Sequence, residues 1–126
     1  MAADLVRKLG YRGGPALVVN PPPGYDLEVE APGSQDAPLN FVQVFVTSAA
    51  ELRAAVPALF GKAAGDPVFW VTYPKQASGV ASELNRDVIA RMIADETTFR
   101  VVSNVSVDAT WSALRLRRKT LVRSHD

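Results

Sequence analysis

Eight residues carry most of the chemistry this chain offers: Asn20, Gly24, Tyr25, Thr47, Ser48, Tyr73, Lys75 and Asp108. Lys75 follows Pro74 at the end of an apolar run, where a cation can meet an anionic ligand or, once desolvated, act as a base. The plain alternative is a solvated loop lysine. Ser48 opens a helix whose N-terminal dipole favours anions, although Glu51, three residues on, already gives it a capping duty. Asp108 in "VDATW" either fixes its turn by accepting a backbone N–H or sets a carboxylate on the rim of a crevice.

Asn20, Gly24 and Tyr25 belong to "NPPPGY", placed where nucleotide-binding folds set a glycine-rich loop after the first strand. Such a loop grips an anion through backbone N–H groups. Pro21, Pro22 and Pro23 have none. The donors are missing where a dinucleotide or S-adenosylmethionine would need them, so neither cofactor is expected. Prolines supply stiffness instead, which lowers the entropy lost when something docks. Their plain role is to turn the chain sharply off a strand.

Several other chemistries are poorly served. There is no cysteine, which excludes disulfides, thiolate nucleophiles and cysteine-bound metal. The single histidine, His125, is the penultimate residue, so a histidine triad or histidine metal cluster would depend on the tail. No metal site is expected, and no catalytic residue stands out. Asn104-Val105-Ser106 matches a glycosylation triplet but lies inside a strand pattern. Trp70 and Trp111 also fall in strand patterns and read as core. The segment 115–126 gathers Arg115, Arg117, Arg118, Lys119 and Arg123 into a basic strand end and tail. Without interleaved aromatics it reads as a solubilised edge strand rather than a nucleic-acid surface.

The chain that must position these groups has 126 residues, room for one ordinary domain over 1–126. With 48% hydrophobic and 21% charged residues it has the composition of a globular protein. A formal net charge of +1 provides no global field toward nucleic acid or membrane. No stretch is apolar enough to span a bilayer, and no secretory leader is evident, so a cytoplasmic address is expected.

The elements follow from periodicity. "DLVRKLG" reads as a short helix and "ALVVN" as a doubly covered strand. Leu27 and Val29 alternate with acids, suggesting a brief exposed strand. "NFVQVFVT" is a buried strand, and a helix capped at Ser48 follows, with a kink or early end at Pro57. "GKAAGDP" reads as a break and "VFWVTYP" as the next strand. "RDVIARMIADE" is amphipathic, with Asn85 or Ser82 as cap. "FRVVSNVSV" and "WSALRLR" form a closing hairpin.

"VVNPPPGY", "FWVTYPK", "ELNRDV" and "VDATWSALRLRRK", in this order, resemble a small bacterial family of unknown function. The resemblance implies a reduced Rossmann-like fold, similar to class I S-adenosylmethionine-dependent methyltransferases, whose last strand inserts antiparallel. It implies no activity. "NPPPGY" is also similar to the asparagine–proline–proline–aromatic motif of adenine-directed methyltransferases, where the aromatic stacks on a flipped base. Here two extra residues intervene and the motif follows the first strand. The acid expected roughly 20 residues on, after a second strand, is likewise missing, since Glu28 and Glu30 come too soon.

The expectation is therefore a three-layer Rossmann-like α/β sandwich, its central sheet mostly parallel with a C-terminal antiparallel hairpin. A ligand would sit beyond the carboxyl ends of the strands, where strand order reverses. With "ALVVN" and "NFVQVFV" as innermost neighbours, all eight residues would line that crevice. The expected function is a noncatalytic or reduced module binding a small ligand or a protein partner. A methyltransferase relative and an oligomeric scaffold are the alternatives.

Overall fold

The computed structural model describes residues 2–27, 29, 38–79 and 82–121. Glu28, Glu30, Arg123 and His125 lie outside the described residues. In chain order the elements are α1 (Ala2–Lys8), β1 (Ala16–Val19), β2 (Leu39–Phe45), α2 (Ala49–Phe60), β3 (Ala63–Pro74), α3 (Arg86–Glu96), β4 (Phe99–Ser106) and β5 (Trp111–Arg118). A single 3-10 turn, Gln76–Ser78, follows β3, and another, Lys119–Leu121, follows β5.

The five strands form one sheet in the order β1-β2-β3-β5-β4. β1, β2 and β3 are parallel, while β5 runs antiparallel to both of its neighbours, β3 and β4. The strand alternation sorts side chains to two faces. Val42, Val44, Phe69, Val71, Leu114 and Leu116 point to the face covered by α2 and α3. There they meet Leu52, Val56 and Leu59 of α2 and Ile89, Met92 and Ile93 of α3. Phe41, Trp70 and Ala113 point the other way, under Leu5, Val6 and Leu9 at α1 and Leu27 from the loop after β1.

Several expectations are corrected here. The fold is α/β, but not the three-layer Rossmann-like sandwich. The sheet is mixed, with two parallel and two antiparallel pairings, and two helices share one face. Among the described residues the other face is covered by the seven-residue α1 and a loop. The order runs from β1 to β3 without reversing, and β1 is an edge strand rather than an innermost one. No switch point exists there, so the crevice that depends on one is not formed.

Residues 25–27 and 29 are not strand, and the rest of that expected element lies outside the described residues. β3 begins at Ala63, because residues read as a break extend the strand and Leu39 pairs with Ala63. α2 continues through Pro57 to Phe60. Both Pro57 and Arg53, whose carbonyl loses its donor, are exposed, so water can satisfy that group. Among the described residues no helix is long and apolar enough to cross a membrane.

Candidate functional site

The proline loop sets the path of the chain as it leaves β1. Asn20 leaves β1 with a φ of 55°, a left-handed conformation that asparagine tolerates better than most residues. The Tyr25 N–H then donates to the Pro22 carbonyl at 3.1 Å, closing a turn with Pro23 second and Gly24, φ 82°, third. Proline followed by a positive-φ glycine is the type II pattern. The amide of Tyr25 is thus spent inside the loop.

The turn delivers Tyr25 onto the α1 face of the sheet. Its hydroxyl donates to Gln43 Oε1 at 2.5 Å, and Gln43 Nε2 donates to Thr72 Oγ1 at 2.9 Å. Gln43 and Thr72 are fully buried, so this chain satisfies polar groups that would otherwise be costly. The Tyr25 ring meets Phe45 edge-on, and Phe45 meets Trp111 in the same way. Burial pushes the Tyr25 phenol up to about 12, opposed by the Gln43 hydrogen bond and helped by the Asp108 charge. Such a phenol is a positioned donor at neutral pH, not a base.

Thr47 and Ser48 are occupied by the N-terminus of α2. Ser48 Oγ accepts from the Glu51 N–H at 3.1 Å, and Glu51 Oε1 accepts from both the N–H and the hydroxyl of Thr47. These Thr47 bonds hold the Glu51 carboxyl below its usual range. Glu83 adds a second carboxylate, accepting from the Ala49 N–H at 2.6 Å. The chain's own acids already fill the place a ligand anion would take. Asp108 is similarly engaged, accepting from the N–H groups of Thr110 and Trp111 at 2.8 Å each. It is the anchor of the β4–β5 turn.

Two of the eight residues do share a cleft. Tyr73 and Lys75, at the carboxyl end of β3, line a cavity of about 440 Å³ with Gln76, Asn85, Arg86, Asp87 and Ser112. That volume is within the range of small-molecule sites. One wall is the first turn of α3. Asn85 caps it, accepting from the Val88 N–H at 2.9 Å, while first-turn amides have no acceptor within a helix. Arg86 stands at the first helical position, where the dipole opposes a cation. Tyr73 is 7% exposed as a residue, and its hydroxyl, which reaches solvent at the cleft, has no hydrogen-bond partner among the described residues. Lys75 Nζ donates to Ser106 Oγ at 2.6 Å, which holds its charge beside the opening. Ser112 donates to the Val105 carbonyl over a long 3.3 Å.

The expected lining is therefore divided by the sheet. Tyr25 lies on the α1 face, where it borders a groove of about 250 Å³ along β1. Asn20 and Gly24 are exposed turn positions that line neither cavity. Arg86, Asp87 and Ser112 were missed as site residues. The arginine at the head of a capped helix was the one signal available, because a dipole alone would not select it. A further cavity, about 130 Å³ between α2 and α3, is mainly apolar and rimmed by the Arg53–Glu96 ion pair. No family model, curated protein or solved structure matches this chain.

Proposed function

We propose that the chain is a noncatalytic binding module that takes a small anionic ligand in the cleft between the end of β3 and the first turn of α3. One observation carries the reading. The Tyr73 hydroxyl, without a hydrogen-bond partner among the described residues and open to solvent, faces a cavity that also presents Lys75, Arg86 and the α3 N-terminus. A hydroxyl, an ammonium, a guanidinium and a helix N-terminus facing one cleft are all donors, and an anion seated there would accept from them. Asp87 is the single carboxylate of the lining and no histidine joins it, so the inventory favours holding over proton transfer. The reading needs no cofactor.

Calorimetry with inorganic phosphate, phosphorylated metabolites and di- and tricarboxylates tests it. Saturable binding weakened about tenfold or more by Arg86→Ala supports the reading. Binding by none of the panel below millimolar concentration, or equal binding by the Arg86→Ala and Lys75→Ala variants, counts against it.

A second reading, a self-associating scaffold, is favoured by β4. This eight-residue strand is an edge of the sheet, largely exposed, with Val102 39% accessible. Unpaired edges invite strand addition. Light scattering over a concentration series would show a rising mass if β4 pairs with a second copy.

A further inference from the structure

The basic C-terminal strand is not at an edge. β5 lies between β3 and β4, so its arginines do not protect an open ladder. Alternation along β5 puts Arg115 and Arg117 on the face of Ala113 and Trp70, away from α2 and α3. Arg117 is accounted for, since Asp66 accepts from its Nε at 3.3 Å and from Nη2 at 2.9 Å. Arg100, its register partner on β4, brings a further exposed guanidinium to the same face.

Arg115 is not accounted for. Its Nε is buried without an acceptor, and no carboxylate pairs with the side chain among the described residues. Burial lowers its affinity for the proton, and Arg117 and Arg12 lie close enough to repel its charge, with Asp66 as the opposing influence. Retaining a half-buried cation among cations is costly unless an anion completes the set. A guanidinium in a partly desolvated setting attracts an oxyanion more strongly than one in water, and its fork matches two oxygens at once. A protein partner would want an apolar anchor, whereas the exposed large apolar side chains among the described residues are Val102 and Leu121.

We propose that this arginine face is a receptor for a phosphate-class oxyanion, held by Arg115 with Arg12 beside it. The site is independent of the Tyr73 cleft, which opens on the α3 side. Trp70, the register partner of Arg115, provides a fluorescence signal next to it.

The test is a low-salt titration of the full chain with inorganic pyrophosphate and, separately, with a short DNA duplex, followed by tryptophan fluorescence and calorimetry. Arg115→Gln is expected to weaken binding about tenfold or more, the scale of a lost charge-assisted contact. Arg12→Gln, an exposed position, is expected to weaken it less and remains informative if Arg115→Gln does not fold. The titrations are repeated in an Arg86→Ala background, so that pyrophosphate taken up by the cleft is not counted as binding at Arg115. Arginine-dependent binding of pyrophosphate alone supports a small phosphorylated ligand, and of the duplex supports a phosphodiester source of the same group. Binding of neither probe, or equal binding by both arginine variants and the parent chain, overturns the proposal.

Discussion

The two faces of the sheet are built on different principles. Toward α2 and α3 the core is mainly apolar, with Ser112 buried near its rim, Phe60 stacked on Phe99 at 3.8 Å and Phe69 tilted against both rings. Toward α1 the sheet keeps Gln43 and Thr72 fully buried and Arg115 half-buried among Phe41, Trp70 and Ala113. The first face owes its stability to burying area, which tolerates no voids but needs no direction. The second depends on each polar group finding its partner. Where that matching is complete, at Tyr25–Gln43–Thr72, the role is structural. Where it is incomplete, at Arg115, and at the Tyr73 cleft on the rim of the other face, ligand binding is what we propose.

Substitutions can break that contrast. The largest effect is expected on the apolar face. Phe69→Ala removes a ring with no solvent exposure from the aromatic cluster and is expected to cost about 3–5 kcal/mol in urea denaturation. A loss under about 1 kcal/mol would show that the face is not tightly packed. On the polar face, Gln43→Leu strands the Tyr25 and Thr72 hydroxyls and is expected to cost about 1–3 kcal/mol. Adding Tyr25→Phe and Thr72→Val should recover most of that loss, a non-additivity that no purely apolar site would show.

Smaller effects sharpen the picture at the helix ends and the loop. Asn85→Ala removes the α3 cap and is expected to cost about 1 kcal/mol, with the new amide exchange confined to the first turn. The Tyr25 phenol should titrate near 12 by carbon NMR of the ring. Because the folded value lies above the unfolded 10.0, its contribution to stability is complete below pH 10 and falls as pH rises toward 12. Asp108→Asn should bring the titration slightly lower, since the removed charge is a lesser cause than burial.

Much of the local structure was legible from residue pattern. The strands at 16–19, 39–45 and 111–118 and the caps at Ser48 and Asn85 all show in spacing and side-chain type, because they depend on near neighbours. Strand order was not legible. Nothing local distinguishes an edge "ALVV" from an inner one, because β1 packs on both faces, Leu17 and Val19 on the α2/α3 side and Ala16 and Val18 on the α1 side. With β1 at the edge of the sheet, the crevice expected between β1 and β2 has no reversal of strand order to form on. Tyr73 and Lys75 were legible as strand-end groups, whereas Ser112 required knowing that β5 inserts beside β3, and Arg86 that α3 begins beside the end of β3. The prolines were read correctly as removing donors, but their delivery of Tyr25 to Gln43 spans the sheet and has no local trace.

The central claim is that the Tyr73 cleft holds an anion. Its most direct test is a nitrogen–proton NMR titration with inorganic phosphate and citrate, following the amides of Arg86, Asp87 and Val88 and the Tyr73 hydroxyl environment. The account predicts saturable shifts concentrated at those amides and at Tyr73, lost in Arg86→Ala while the remainder of the spectrum is kept. Shifts scattered over the surface with no saturation, or a cleft silent to both anions, would contradict it.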